Sequence, residues 1–240
     1  MSATGGVSDP AGSLSATLIK ADGRHVESVP NMTPWPAETV GLDHIRKYAA
    51  SGPGLPSRVN AWRRDNYLRL MVGAKKVLLA RKFGIPTFNG QLWISVFRGD
   101  GSVEDYGLAS LRVVTTAGVG YIVDAFQNTT ELENLKFHGV GTGSTAEAVG
   151  DTALVTESTT VLNPDSTRAT GSTTEAAANI YRTVGTVTFD GSAAIVEHGI
   201  FSQAATGGGT LLDRSVFSAI NVASGDSIQF TYDFTVTAGS

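Results

Sequence analysis

Ile228-Gln229-Phe230-Thr231-Tyr232-Asp233-Phe234-Thr235-Val236-Thr237, near the C-terminus, places an apolar residue at every second position. Ile228, Phe230, Tyr232, Phe234 and Val236 fall on one side, and Gln229, Thr231, Asp233, Thr235 and Thr237 on the other. Side chains of an extended chain alternate between two faces, so this period predicts a β-strand with one buried face. The polar face meets either solvent or a neighbouring protein.

The same reading extends back through a Thr- and Gly-rich half. Residues 179–190, 193–203 and 210–220 predict three further strands, separated by Asp190-Gly191 and Gly207-Gly208-Gly209, with Ser224-Gly225 before the last. Gln91–Arg98 predicts a strand, Gly99-Asp100-Gly101 a turn, and residues 102–115 one or two more strands. Leu135–Val140 predicts another. Between them Thr116 is a candidate N-cap for a short helix ending at Phe126, with Val119, Ile122, Val123 and Phe126 on one face. The expected fold class is mainly β: an antiparallel β-sandwich or barrel over 91–240, behind an extended N-terminal arm and a short basic α-helical segment.

The front of the chain differs in composition. Seven of the eight prolines lie at or before Pro86. Residues 1–112 carry 14 Lys/Arg against 9 Asp/Glu, whereas residues 113–240 carry 4 against 13. Residues 1–57, with Pro10, Pro30, Pro34, Pro36, Pro53 and Pro56, predict a Pro/Gly-rich arm in which Trp35 is a candidate anchor. Residues 58–90 predict a basic helical docking segment; its first 26 residues hold eight Lys/Arg and one Asp. Val59, Trp62, Leu70, Val77 and Leu78 are its candidate buried residues, and Gly73 is a candidate break between two helices. A basic helix suits nucleic acid, acidic lipid or an acidic protein surface. Thin aromatic interleaving and the lack of a recognisable nucleic-acid module favour the protein surface. Val77-Leu78-Leu79-Ala80 is far too short to span a bilayer, so no membrane partner is expected.

Catalytic vocabulary is sparse. With no cysteine, thiolate nucleophiles, disulfides and Cys-based zinc sites are excluded. No G-x-S-x-G elbow and no P-loop occur. Gly139-Val140-Gly141-Thr142-Gly143 matches part of a dinucleotide fingerprint without its βαβ context, so these glycines are expected to serve tight turns. His138 and His198 each precede Gly in a strand context; hydrogen-bonded structural histidines are expected there, with a symmetry-built metal site at a trimer axis as the alternative. Glu197 and His198, as strand neighbours, point to opposite faces and form no dyad. Arg98-Gly99-Asp100 reads as a turn. No cofactor, metal or enzymatic activity is expected.

Residues 139–157, GVGTGSTAEAVGDTALVTE, resemble a phrase of tailed-bacteriophage virion proteins, in which a GTG-[ST]-T-A segment leads into D-T-A-L and an acidic residue. Tyr181–Thr186, Glu197–Phe201 and Leu211–Arg214 share that flavour, so the resemblance spans about residues 107–240 and omits 1–90. It implies a structural β-domain of a virion, of the head-decoration (cement), head-fibre or tail-appendage kind. The expected function is binding to the phage capsid exterior and stabilising it without catalysis, in the virion after synthesis in the bacterial cytoplasm. The major capsid protein or another virion protein is the expected partner, with a homo-oligomer, a trimer first, as the expected state. Trp35, Trp62, Arg63, Arg64, Lys75 and Lys76 are the candidate partner-binding residues. Alternatives are a tail adaptor or host-recognition appendage, and a carbohydrate-binding module.

Overall fold

The alternating C-terminal stretch is a strand lying in the middle of a five-stranded antiparallel sheet. The structure, a computed structural model, describes residues 18–19, 25–26 and 54–238. The chain divides into two compact units, Met1–Thr39 and Val40–Ser240. In the first, β1 (Leu18–Ile19) pairs antiparallel with β2 (His25–Val26). The rest of the expected arm, including Trp35, lies outside the described residues up to Gly54.

The second unit runs α1 (Ser57–Lys82), β3 (Thr87–Phe97), β4 (Val103–Val113), α2 (Thr116–Phe126), a 3-10 turn at Leu132–Asn134, β5 (Phe137–Gly141), β6 (Ala169–Thr170), β7 (Ser172–Ala177), β8 (Ile180–Thr188), β9 (Ala193–Phe201), β10 (Leu211–Val222) and β11 (Ser227–Thr237). One sheet has the order β4-β3-β11-β8-β7 and the other β10-β9-β5-β6. Every strand pair is antiparallel. The core lies between the sheets, where Leu92, Ile94, Val96, Ile228 and Phe230 meet Val140, Ile195, Ile200, Phe217 and Ile220. The mainly β, two-sheet antiparallel architecture is as read from the sequence. The sheet already begins at Thr87, four residues before the expected boundary.

Alternation along β11 holds only for its first half. Ile228, Phe230 and Tyr232 are fully buried, but Val236 is 42% exposed while Asp233 and Thr235 are buried. Asp233 sits opposite Arg182 of β8 and accepts from its guanidinium at 2.7 and 2.9 Å, which satisfies the carboxylate away from water. Phe234 instead stacks on Phe88, with ring centroids 5.7 Å apart.

Helix α2 starts one residue earlier than a Thr116 cap would require. Thr115 is the N-cap, its hydroxyl accepting from the Gly118 N–H at 2.9 Å and donating to Leu211 O at 2.5 Å. Of the apolar face read for α2, Ile122 packs against the core, whereas Val119, Val123 and Phe126 are exposed, Phe126 by 84%, and Gly118 is the residue pressed onto β10. A Cβ at Gly118 would stand 2.7 Å from Leu212 O, so the backbone itself makes the approach that a side chain would prevent.

Candidate docking surface on the basic helix

Helix α1 is continuous through Gly73, because that glycine is a contact rather than a break. A Cβ there would lie 2.2 Å from Leu111 O, so only glycine lets the helix lie flat on β4. Val59, Trp62, Asn66, Leu70 and Ala74 line the same buried side. Trp62 donates its indole N–H to Ser218 O at 2.5 Å and meets the Tyr106 ring edge-on at 5.1 Å. Asn66 donates to Ala109 O at 2.6 Å. Arg63 donates to the carbonyls of Tyr106 and Asp105 at 3.2 and 3.0 Å. Burial pushes the Asp105 carboxyl up, against the lowering pull of Arg63. Near the helix start Arg58 pairs with the buried Glu104, which Arg98 also contacts at 2.9 Å.

The six candidate partner-binding residues therefore separate into three groups. Trp62 and Arg63 are corrected: both are buried, with their polar atoms committed inside the molecule, and neither is available as an anchor. Arg64, Lys75 and Lys76 are exposed on the opposite side of α1. Trp35 is outside the described residues.

That outward side also carries residues the sequence reading missed. Leu68 is 72% exposed, Phe83 67%, Leu79 57% and Val72 50%. One helix thus has an apolar stripe on each side, the inner one packed and the outer one wet. Apolar residues around the whole circumference ordinarily mark a buried helix. The available signal was the spacing of Leu68, Val72 and Leu79, hidden by the assumption of a single buried face. On the Lys76 side an open groove of about 370 Å³ continues the surface, bounded by Val77, Phe88, Val119 and Val149.

Other constellations turn inward. His138 and His198 are both fully buried and in contact, so neither can reach a symmetry axis at the surface. Among the described residues no cluster of three or more His, Cys, Asp or Glu side chains is arranged to hold a metal ion. Glu197 points to the other face of β9, as expected, where its carboxylate accepts from the N–H groups of Gly143, Val155 and Thr156 at 3.0, 3.0 and 2.8 Å. Arg214 joins it at 2.8 Å and reaches Asp151 at 3.0 Å. Nearby Arg168 pairs with Glu157 at 2.6 Å and lies over the Phe201 ring. Together these groups hold the 142–168 loop over the outer face of the four-stranded sheet.

The glycines of GVGTG follow from that clamp. A Cβ at Gly141 would stand 2.3 Å from Thr156 O, and one at Gly143 would stand 2.6 Å from Glu197 Oε1. Gly139, Gly141 and Gly143 are absent from the positive-φ positions, so they serve close approach and not the expected tight turn. Arg98-Gly99-Asp100 is a turn as expected. Arg98 is held by Glu104 and Asp226 at 2.9 and 2.8 Å, and Asp100 accepts from the Ser102 N–H.

No protein-family model, curated protein or solved structure matches the chain.

Proposed function

We propose that this protein is a non-enzymatic structural component of a tailed-phage virion that binds the capsid exterior and stabilises the shell. The observation that carries the reading is α1, a helix fixed along one side by Trp62, Arg63 and Asn66 and presenting apolar and basic residues on the other. A rigidly seated helix docks without the ordering cost that a free segment bears. Its basic side chains Arg64, Lys75 and Lys76 suit an acidic protein surface. A subunit of this kind stabilises an assembly by mass action, because it binds the assembled shell and not its dissociated parts. The resemblance of residues 139–157 to virion proteins supports the setting, and an oligomer of this chain is part of the proposal.

Quantitative mass spectrometry of purified phage particles tests it. The protein is expected in the particles at a copy number scaling with the major capsid protein. Its removal is expected to lower the temperature at which shells rupture. Absence from purified particles overturns the proposal, and a copy number matching the tail proteins assigns it to the tail instead.

A further inference from the structure

Five exposed positions of α1, Leu68, Val72, Lys75, Leu79 and Lys82, follow one another at alternating spacings of four and three. That is the spacing of the seam positions in a two-helix coiled coil, with three apolar sites and two lysines within the seam. Arg64, Arg69 and Lys76 fall at the positions flanking it, and Phe83 adds an exposed aromatic at its C-terminal end. The back of the helix is already occupied by its own sheet, so this seam is a second, outward-facing packing surface.

We infer that this seam docks a helix of a partner protein, one with apolar residues opposite Leu68, Val72 and Leu79 and acidic residues opposite Lys75 and Lys82. Charge complementarity selects that occupant. Two copies of α1 paired in parallel would set Lys75 against Lys75 and Lys82 against Lys82, and paired antiparallel would set Lys75 against Lys75 and each Lys82 against Leu68, so both arrangements oppose self-pairing. The stripe is also narrow, with about one apolar residue per turn, which fits a single helix rather than a bilayer interface. Polar residues within a seam specify register and partner at some loss of stability, and that is the role of the two lysines. The biological setting of this inference rests on the virion reading, whereas the seam itself stands on the geometry of α1.

The test uses the full-length protein and two synthetic helical peptides of about three heptads with the same leucine seam. One carries Glu at the positions facing Lys75 and Lys82, and the other carries Lys. Fluorescence anisotropy is expected to show the Glu peptide binding at least about tenfold more tightly, since like charges at a seam cost more than 1.4 kcal/mol. Lys75→Glu with Lys82→Glu is expected to reverse the preference, and Leu68→Glu with Val72→Glu to abolish binding of both. These positions are exposed, and an unchanged melting temperature establishes that the variants are folded. Equal binding of the two peptides, or binding of neither, overturns the inference. So does preferential binding to phosphatidylglycerol vesicles, or a dimer in sedimentation that Leu68→Glu dissociates. Virion association is scored separately: particles lacking the protein overturn the virion reading alone, and particles that retain the Leu68→Glu variant at full occupancy overturn the seam alone.

Discussion

Nδ1 of His138 lies 3.0 Å from Nε2 of His198 at the centre of the sandwich, with neither ring exposed to solvent. The two strands that carry them, β5 and β9, are neighbours, and the far side of His138 meets Thr183 Oγ1 at 3.1 Å on β8. The Phe230 ring packs against both imidazoles. Burial lowers both pKa values, His138 to about 3 and His198 well below its ordinary 6.5, with His138 adding to the effect on His198. The pair is therefore neutral in the folded protein.

Stability is expected to fall on acidification because of this pair. The unfolded chain binds protons at both histidines below pH 6.5 while the folded protein binds none until about pH 3 at His138. The contribution is thus fully present above pH 6.5 and is lost as pH falls through that window, by about 1.4 kcal/mol per pH unit for each histidine. Urea unfolding at a series of pH values measures the slope. His198→Gln is expected to reduce it by about that one-histidine amount, and an unchanged slope would sink the assignment.

The two sides of α1 are expected to respond oppositely to substitution. Trp62→Ala removes a buried indole and orphans the Ser218 carbonyl, at a cost of about 3–5 kcal/mol in chemical denaturation. Arg64→Glu and Lys76→Glu lie on the wet side and are expected to change stability by no more than about 0.5 kcal/mol. Comparable losses from both sets would mean that the outer side is packed after all.

Glu197→Gln is expected to loosen the 142–156 loop. The substitution removes the charge that Arg214 faces in a buried site and weakens acceptance from three backbone N–H groups. Removing one partner of a buried ion pair costs about 3–5 kcal/mol. Hydrogen exchange at Gly143, Val155 and Thr156 reports the effect directly; unchanged protection at those amides contradicts the clamp.

Two glycines in helices are expected to give opposite signs. At Gly120 of α2 a Cβ meets nothing within 4 Å, so Gly120→Ala raises stability by about 0.5–1 kcal/mol through helix propensity. At Gly73 the same change collides with the Leu111 carbonyl and lowers it. Thermal melts of the two variants settle the comparison, which fails if Gly73→Ala is as stable as the parent.

Strand β11 was legible because its apolar residues recur with the period of the extended backbone, and β3, β8, β9 and β10 because apolar, β-branched and aromatic residues run between Gly- and Asp-rich turn signals. β7 was not: Ser172–Ala177 is exposed at every position, and it is a strand because β8 pairs with it. Gly73 illustrates the opposite failure, since helix propensity marked it as a break and only the adjacent Leu111 shows why the helix tolerates it. In the docking surface, the basic character of Arg64, Lys75 and Lys76 was readable, whereas the outward position of Leu68 and Leu79 was not.

Sequence alone determined the β class, the antiparallel habit, the position of both helices and the basic character of α1. These follow from local periodicity, turn residues and charge, which act between residues close together in the chain. Tertiary structure decided which side of each helix is wet, why Asp233 is buried, and what Glu197 holds. The contacts responsible join distant residues, as Trp62 does with Ser218 across 156 positions, and no local pattern encodes such a pairing. An apolar residue has the same propensity on either side of a helix; only the sheet that arrives behind it determines which side remains free to bind.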